Sequence, residues 1–272
     1  MLKPIAVVSG ATGGIGQVVV HRLLQEGYAV TALGRRQEAL DALHRKTNDD
    51  PSIQGFSLST IRADMSRSDD IARLKETIIY CDLLVTCHGA VPYIRPTATL
   101  REEAYDMVMD VDLRGTFLLA RLAGRNMLDA GTGGSIVFLS SFHAIGSYPQ
   151  RALYAMAKAG VCALARALAC EWAGAGIRVN AIAPGQVEGP RTKTIAETIK
   201  GAKVIERMRQ RAPAGKLVQA ADIAETVVWL TKTPSVNGQT VVLDHGVTAS
   251  LYYEPYPIED QPRPELFLKG TI

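Results

Sequence analysis

A tyrosine and a lysine stand four residues apart in the stretch ALYAMAKAG, where almost every other side chain is small and apolar. On a helix, Tyr154 and Lys158 would share one face, about one turn apart. A phenol has a reference pKa near ~10, but an ammonium ~4 Å away favours its ionised form by about 4 kcal/mol before desolvation opposes it. The pair therefore predicts proton transfer to or from a bound ligand. In the alternative, Lys158 extends to solvent and Tyr154 packs in the core.

Glycines cluster in SGATGGIG, residues 9–16, between a predicted strand and a predicted helix. Gly10, Gly14 and Gly16 would let the backbone turn tightly and approach a diphosphate at the helix N-terminus, where free N–H groups and the helix dipole favour anions. A glycine cluster alone is also compatible with a plain turn. Its place after the first strand of a strand–helix–strand unit favours a dinucleotide site.

Two arginines, Arg35 and Arg36, follow the second predicted strand. A site for NAD carries a carboxylate in this region, which binds the ribose 2′-hydroxyl, and no acidic residue stands at this strand end. Guanidinium groups suit a 2′-phosphate by charge and by bidentate geometry. The pattern predicts NADP(H) rather than NAD(H), with a solvated helix start as the alternative.

Short apolar runs alternate with amphipathic segments along the chain, from IAVVSG to QTVVLD. This alternation predicts an α/β fold: a doubly wound (Rossmann) parallel sheet of about seven strands with helices on both faces, in a single domain. Long helices are expected at about 99–130 and 150–173. Ligands of such sheets bind beyond the carboxyl ends of the strands, where the residues above fall. The domain is expected to span 1–250, with a substrate loop at about 186–215.

Composition limits the function classes. The chain has 272 residues and a net charge of +3 without a long basic block, which predicts no nucleic-acid partner. No stretch of ~18 apolar residues lacks a charge, and the N-terminal apolar run is shorter than the ~7–15 residues of a signal peptide, so no membrane segment is expected. The cysteines show neither CxxC nor zinc-site spacing, which predicts buried, reduced thiols in a cytoplasmic protein without a metal; they are Cys81, Cys87, Cys162 and Cys170.

Together these motifs resemble the short-chain dehydrogenase/reductase family, over residues 4 to about 249. The family's TGxxxGxG loop corresponds to SGATGGIG, with Ser9 in place of threonine, and its YxxxK motif to YAMAK. The catalytic serine, thirteen residues before the tyrosine, corresponds to Ser141 in FLSSF. The PG turn after the sixth strand corresponds to Pro184–Gly185, and the acidic residue after the third strand to Asp64 in ADM.

The resemblance implies hydride exchange between a nicotinamide and a ketone or secondary alcohol. Ser141 would stabilise charge on the substrate oxygen, Tyr154 would give or take the proton, and Lys158 would hold the ribose hydroxyls. The implied cofactor residues are Gly10, Thr12, Gly14, Ile15, Gly16, Arg35, Arg36, Asp64, Met65, Cys87, Gly89, Tyr154, Lys158, Pro184, Gly185 and Val187. The implied substrate residues are Ser141, His143, Gln150, Tyr154 and Gln186, with Ile145 and the segments 93–97 and 190–210 nearby.

Two departures from the family pattern stand out. The family's NNAG is here TCHG, so Cys87 and His88 replace an asparagine and an alanine; His88 is expected to pack or to form hydrogen bonds rather than to catalyse. Asp112, in DVDLRGTF, replaces an asparagine that supports a proton-relay water in the family. Asp112 is therefore counted with the catalytic residues. Its charge beside Lys158 would weaken the lysine's effect on Tyr154 and shift the pH preference.

Residues 251–272 lie beyond the family's last strand and combine four prolines with several tyrosines and leucines. They are expected to form an arm on a neighbouring subunit of a homodimer or homotetramer, or else over their own domain. The apolar helix around 159–172 would suit such an interface.

The predicted function is thus an NADP(H)-dependent oxidoreductase acting on a small-molecule ketone or secondary alcohol. One alternative is an NAD-linked catabolic alcohol or dihydrodiol dehydrogenase. Another is a dinucleotide-sensing module with little turnover, which TCHG and Asp112 alone support.

Overall fold

The computed structural model describes residues 3–53, 55, 57–78, 80–90, 95–198 and 201–250. The predicted arm at 251–272 lies outside the described residues. So do residues 93 and 94 of the first predicted substrate segment and residues 199 and 200 of the second.

The described strands form one parallel sheet of seven strands in the order β3-β2-β1-β4-β5-β6-β7. The chain starts near the middle of the sheet, moves to one edge, and crosses back after β3. The strands are β1 (Ile5–Ser9), β2 (Ala29–Gly34), β3 (Leu58–Arg62), β4 (Leu83–Thr86), β5 (Gly134–Leu139), β6 (Ile177–Pro184) and β7 (Thr240–Leu243).

Helices connect the strands and cover both faces of the sheet. They are α1 (Gly14–Gln25), α2 (Gln37–Asn48), α3 (Ser68–Thr77), α4 (Glu102–Val108), α5 (Gly115–Ala130), α6 (Ala152–Trp172), α7 (Pro190–Ala196), α8 (Gly201–Gln210) and α9 (Ala220–Lys232). The predicted doubly wound, single-domain α/β fold is confirmed.

Two apolar clusters fill the spaces between the sheet and its helices. Because successive strand side chains point to opposite faces, Val7 belongs to one cluster and Val8 to the other. The first cluster joins the sheet to α3, α5 and α6, and the second joins it to α1, α2 and α9. Both faces are therefore buried, which explains why the strands read as continuous apolar runs rather than alternating ones.

The predicted long helix at 99–130 is interrupted. Between α4 and α5 the backbone forms a π-helical segment, Met109–Arg114, which contains Asp112. A π-helical segment inserts extra residues into a helix and re-aims the side chains there, and such segments are frequent at functional sites. The apolar periodicity alone did not show this change.

By length and composition, the helical stretch Ala152–Ala175 is apolar enough to cross a membrane. One side of α6 packs on the sheet through Val161, Ala165 and Leu168. Packing on the sheet accounts for the apolar residues of this side, whereas Ala159, Ala163 and Ala167 on the other side are exposed.

The cysteine expectation needs one correction. All four cysteines are free, and Cys81 and Cys162 are buried as predicted, but Cys170 is exposed on α6 and Cys87 is only partly buried. Cys170 falls on the outer side of the helix, next to the exposed Glu171 and one turn after the exposed Arg166.

Candidate active site

Tyr154 and Lys158 lie on α6 above the end of β5. The Lys158 ammonium donates a hydrogen bond to the carbonyl of Leu139, the last residue of β5, at 3.1 Å, and lies 5.6 Å from the centre of the Tyr154 ring. The Ser140 hydroxyl donates in turn to the Lys158 carbonyl at 2.9 Å. Lys158 is only 4% exposed, so the alternative in which it extends to solvent is wrong.

Ser141 is brought to the same edge of the sheet, two residues beyond β5. Its extended backbone leads into a short 3-10 turn, Phe142–Ala144, and its hydroxyl accepts a hydrogen bond from the His143 N–H at 3.3 Å. The His143 ring is 5.7 Å from the Tyr154 ring, edge to face. The structure thus groups Ser141, His143 and Tyr154, as a site that holds a substrate oxygen would require.

Asp112 is fully buried beside this group. Its Oδ1 accepts a hydrogen bond from the Ala90 N–H at 2.5 Å, and its Oδ2 lies 3.7 Å from the Lys158 Nζ without a hydrogen-bond partner among the described residues. Burial raises the pKa of Asp112 above its usual value, and the charge of Lys158 opposes that rise. Asp112 is thus a buried titratable group in electrostatic contact with Lys158.

His88 links the glycine loop to the π-helical segment. Its Nδ1 is 2.6 Å from the Ser9 hydroxyl and its Nε2 is 3.2 Å from the Thr116 hydroxyl, which donates to the Asp112 carbonyl at 2.8 Å. Burial and the charge of Lys158 lower the pKa of His88 to about 3. The imidazole is therefore neutral at physiological pH and acts as a hydrogen-bonded spacer between β1 and the segment that carries Asp112.

The glycine loop fits a dinucleotide diphosphate. Gly10 has a φ of +65°, and a Cβ there would lie 2.4 Å from the His88 nitrogen; one on Gly16 would lie 2.2 Å from the Gly10 carbonyl oxygen. Only glycine permits this close approach of backbone to backbone. Among the described residues, no side chain caps the α1 N-terminus and no acidic residue lies in its first turn. Its N–H groups are thus left for an anion, which is the chemistry a diphosphate offers.

The other predicted cofactor residues line the same edge of the sheet. Gly89 lies against the Asp112–Lys158 pair, because a Cβ there would be 3.5 Å from the Asp112 Oδ1 and 3.7 Å from the Lys158 Nζ. Burial raises the pKa of the Cys87 thiol to about 12, so Cys87 is a neutral group rather than a nucleophile. Of the other loop residues, Thr12 and Ile15 are partly buried and Gly14 is exposed, while Met65, after β3, is buried.

Arg35 and Arg36 are exposed just beyond the end of β2. Within the described part of the chain, neither forms an ion pair. In the sheet register Arg62, at the end of β3, is paired with Gly34, so a third arginine joins this corner. Asp64 follows β3; burial acts against its ionisation, but hydrogen bonds from Ser66 and the charge of Arg35 outweigh it, so its pKa is lowered.

The PG turn ends β6. The Gly185 N–H donates to the carbonyl of Leu243 at 2.8 Å, which ties the turn to β7. Two residues later, Val187 pairs with Val218 in an isolated parallel bridge. Pro184 is buried, and Gln186 and Val187 are partly buried, at the mouth of the sheet edge.

The predicted substrate residues differ in burial. His143 is buried, Gln186 is partly buried, and Gln150 is exposed with a left-handed φ of 67°. A non-glycine residue in that conformation marks a tight backbone turn just before α6. Ile145 is 56% exposed beside the 3-10 turn.

Arg151 was missed by the sequence reasoning. It immediately precedes α6, three residues before Tyr154, and is half-buried. The signal that could have found it is this spacing, since residues three apart share a helix face. Tyr148 was also missed; its ring packs edge-on against His143 at 5.2 Å.

Within the described residues, no three histidine, cysteine, aspartate or glutamate side chains form a group that could hold a metal ion. A cleft of about 540 Å³ lies at α7 and α8, lined by Lys203, Glu206 and Arg209 among others. None of the catalytic candidates lines it, so the chemistry is placed in the groove at the strand ends instead.

Comparisons with known proteins agree with this geometry. A family model described as enoyl-(acyl carrier protein) reductase matches residues 10–248. An A-factor type gamma-butyrolactone 1′-reductase from Streptomyces virginiae is 34% identical over 253 residues, covering 90% of this chain and 95% of that protein.

Two solved structures also match. A single-residue variant of actinorhodin polyketide ketoreductase with NADPH has a TM-score of 0.85 and 28% identity, covering 91% of this chain and 98% of the other. A candidate 2-deoxy-D-gluconate 3-dehydrogenase from Agrobacterium tumefaciens with bound NADP has a TM-score of 0.78 and 29% identity, covering 91% and 97%.

The parallel sheet, the glycine loop and the Tyr154–Lys158 pair, taken with these matches, show that the chain belongs to the short-chain dehydrogenase/reductase family. It is an oxidoreductase of the class that acts on alcohol and ketone groups with a nicotinamide cofactor.

Proposed function

We propose that the chain is an NADP(H)-dependent oxidoreductase that interconverts a ketone and a secondary alcohol, with Tyr154 as the acid–base group. The observation that carries the proposal is the placement of Lys158. It is buried, hydrogen-bonded to the Leu139 carbonyl, and its ammonium lies 5.6 Å from the centre of the Tyr154 ring, so a positive charge is held beside the phenol.

The chain's own groups would act as follows. Ser141, held in extended backbone at the end of β5, donates to the substrate oxygen and stabilises charge there. Tyr154 gives the proton to that oxygen in reduction and removes it in oxidation. Lys158 places a positive charge beside the tyrosine, and Asp112, whose Oδ2 lies 3.7 Å from the ammonium, provides the neighbouring acidic group. The bound nicotinamide supplies or accepts the hydride.

The preference for NADP(H) rests on the corner at β2 and β3. Arg35 and Arg36 are exposed, lack an ion pair within the described residues, and stand beside Arg62. A 2′-phosphate would neutralise this group of arginines, whereas a ribose hydroxyl would not. The two solved relatives that hold NADPH or NADP lend further support.

We also propose a homo-oligomer. The outward side of α6 carries small exposed residues at helical spacing, namely Ala159, Ala163 and Ala167, and Met156 is 45% exposed on the same helix. This face also carries the exposed Arg166, and its small apolar residues are suited to packing against a second copy.

The function is tested by following reduced-nicotinamide absorbance with a panel of ketones and alcohols, NADP(H) and NAD(H) in parallel. Tyr154→Phe should lower kcat by about 10²–10⁴-fold while cofactor binding persists. Tyr105→Phe, a matched change on an exposed tyrosine of α4, should leave kcat unaltered. Tight cofactor binding without turnover on any substrate would refute the proposal and favour dinucleotide sensing.

A further inference from the structure

Arg151 is a half-buried cation at the edge of the active site. Among the residues that the structure describes, none hydrogen-bonds to its guanidinium or pairs with it as an acid. Partial burial of a charge is costly unless a counter-charge or hydrogen bonds offset it. A guanidinium left in this state points to an anion that arrives from outside the protein.

The charge of Arg151 acts on the groups of the site. Burial, and after it the charge of Arg151, lowers the pKa of His143 to about 4. The pKa of Arg151 is lowered by burial and then by the charge of Arg191, near the start of α7, while Tyr154 acts in the opposite direction. The two arginines therefore repel one another, and no described carboxylate lies within ion-pair distance of either.

His143 provides a second, independent observation. It is 6% exposed, and its Nδ1 is buried without a hydrogen-bond partner among the described residues. The ring is fixed on three sides by Phe142 at 4.3 Å, Tyr148 at 5.2 Å and Tyr154 at 5.7 Å. The Nδ1 is thus a buried polar atom, on a ring that packs against Tyr154, whose hydrogen-bonding capacity the described residues leave unused.

The remaining features of this corner are also positive. Within the described part of the chain, the first turn of α6 has no side-chain cap and no acidic residue, so the helix dipole adds to the positive potential at Arg151. The Arg211 Cζ lies 4.5 Å from the centre of the Tyr148 ring, so a further cation stands next to the aromatic rings around His143.

We infer that Arg151, assisted by Arg191, binds a carboxylate of the substrate, so that the preferred substrates are keto acids and the corresponding hydroxy acids. The inference rests on the proposed function and names its substrate class. A guanidinium binds a carboxylate through two parallel hydrogen bonds, which would orient the ketone toward Ser141 and Tyr154. The carboxylate is not altered in the reaction; only the carbonyl gains the hydride and the proton.

A phosphate of the cofactor is the other anion within reach. Pro190, next to Arg191, packs on the glycine loop, since a Cβ on Gly14 would lie 2.9 Å from the Pro190 Cδ. Arg191 therefore neighbours both the loop and the groove. Arg151 instead stands on the α6 side with Tyr154, which favours the substrate as its partner.

The test compares levulinate and acetoacetate with their neutral amides, levulinamide and acetoacetamide. For the wild-type protein, KM should be at least about tenfold lower for the acids. Arg151→Gln should raise KM for the acids by about tenfold and change kcat little. Its KM for the amides should stay within about twofold of the wild-type value. Arg45→Gln, an exposed arginine in the last turn of α2, is the charge-matched control and should change neither.

Three results would overturn the inference. Equal KM values for acids and amides in the wild-type protein would do so while leaving the proposed function intact. An equal rise in KM for acids and amides in Arg151→Gln would mean that the arginine stabilises the protein and does not bind the substrate carboxylate. A weaker NADPH affinity in Arg151→Gln, measured by fluorescence, with unchanged substrate KM would assign it to the cofactor.

If no ketone in the set is turned over, calorimetric titration with levulinate and levulinamide decides the matter without catalysis. Binding of the acid alone, abolished in Arg151→Gln, would support the carboxylate site even though the proposed reaction had failed. Absence of a preference for the acid would refute it.

Discussion

The Lys158 Nζ lies 3.7 Å from the Oδ2 of Asp112, and both side chains are buried, 5% and 0% exposed respectively. This acid–base pair replaces the lysine–asparagine arrangement of the family pattern. A carboxylate can take up a proton and an amide cannot, so the pair turns a fixed hydrogen-bond acceptor into a titratable one.

The first prediction concerns Asp112→Asn. Above the raised pKa of Asp112, its negative charge offsets the positive charge of Lys158 beside the acid–base tyrosine. The amide removes that charge, so the rise of the alcohol-oxidation rate with pH should move to lower pH, by about one unit. The measurement is kcat/KM against pH. Asp106→Asn, an exposed aspartate of α4, serves as the control, and coincident profiles for Asp112→Asn and wild type would refute the prediction.

The second prediction concerns cofactor choice. Arg35→Ala combined with Arg36→Ala should weaken NADPH binding by about 10–100-fold and leave NADH binding nearly unchanged, because only NADPH carries the 2′-phosphate. Dissociation constants from nicotinamide fluorescence would show this difference. Arg45→Ala, farther along α2, should bind both cofactors as the wild type does. A similar loss for both cofactors would mean that these arginines do not select the phosphate.

The third prediction concerns the glycine loop. Gly16→Ala should abolish or greatly weaken dinucleotide binding, because its Cβ would lie 2.2 Å from the Gly10 carbonyl oxygen and must push the loop out of shape. Gly13 has ordinary backbone angles and a nearest contact of 3.3 Å, so Gly13→Ala is the milder change. Calorimetric titration with NADPH separates the two variants. Equal affinities would show that the close approach at Gly16 is not needed for binding.

The fourth prediction concerns acid stability. The pKa of His88 is about 3 in the folded protein, against an ordinary value of 6.5. Between these two pH values the imidazole is protonated in the unfolded chain but not in the folded protein. Stability is therefore full above pH 6.5 and is lost as pH falls toward 3, with a slope of up to about 1.4 kcal/mol per pH unit from this one group.

In His88→Gln the unfolding free energy should be about 1–3 kcal/mol lower at neutral pH, because the bonds to Ser9 and Thr116 are disturbed. Its decline between pH 6 and 4 should be shallower than in the wild type. Denaturant titrations at several pH values measure both effects. His44→Gln, on α2, should keep the wild-type slope; a steep slope in His88→Gln would contradict the assignment.

The fifth prediction concerns self-association. Ala163→Glu places a charge on the outward side of α6 without touching the buried side that carries Lys158. If α6 packs against a second copy, sedimentation should show a smaller particle for this variant than for the wild type. A wild-type chain that sediments as a monomer would end the homo-oligomer proposal.

Much of this arrangement could be predicted from the sequence. The strands and the motif residues could be predicted, because apolar runs, glycines and the Tyr154–Lys158 spacing are local signals. The Ser9–His88 contact was not, since it joins residues 79 positions apart through a hydrogen bond that no pattern encodes. The π-helical segment at 109–114 also escaped, because it differs from an α-helix in hydrogen bonding rather than in apolar spacing. The lack of a described carboxylate near Arg151 also could not be predicted, because it depends on how distant segments pack around that residue.

The bridge between Val187 and Val218 holds together the two ends of the segment that carries α7 and α8. The Val218 N–H donates to the Gln186 carbonyl and the Glu188 N–H donates to the Val218 carbonyl, both at 2.9 Å, so the excursion that carries α7 and α8 leaves and rejoins the domain at one point. Closing a loop costs little more as it lengthens once its ends are pinned together. The segment 189–217 can thus be exchanged for one of different length or chemistry while the strand ends beneath it stay in register. Mutations in this segment can then change which substrates bind in the groove, while Ser141 after β5 and Tyr154 and Lys158 on α6 keep their positions.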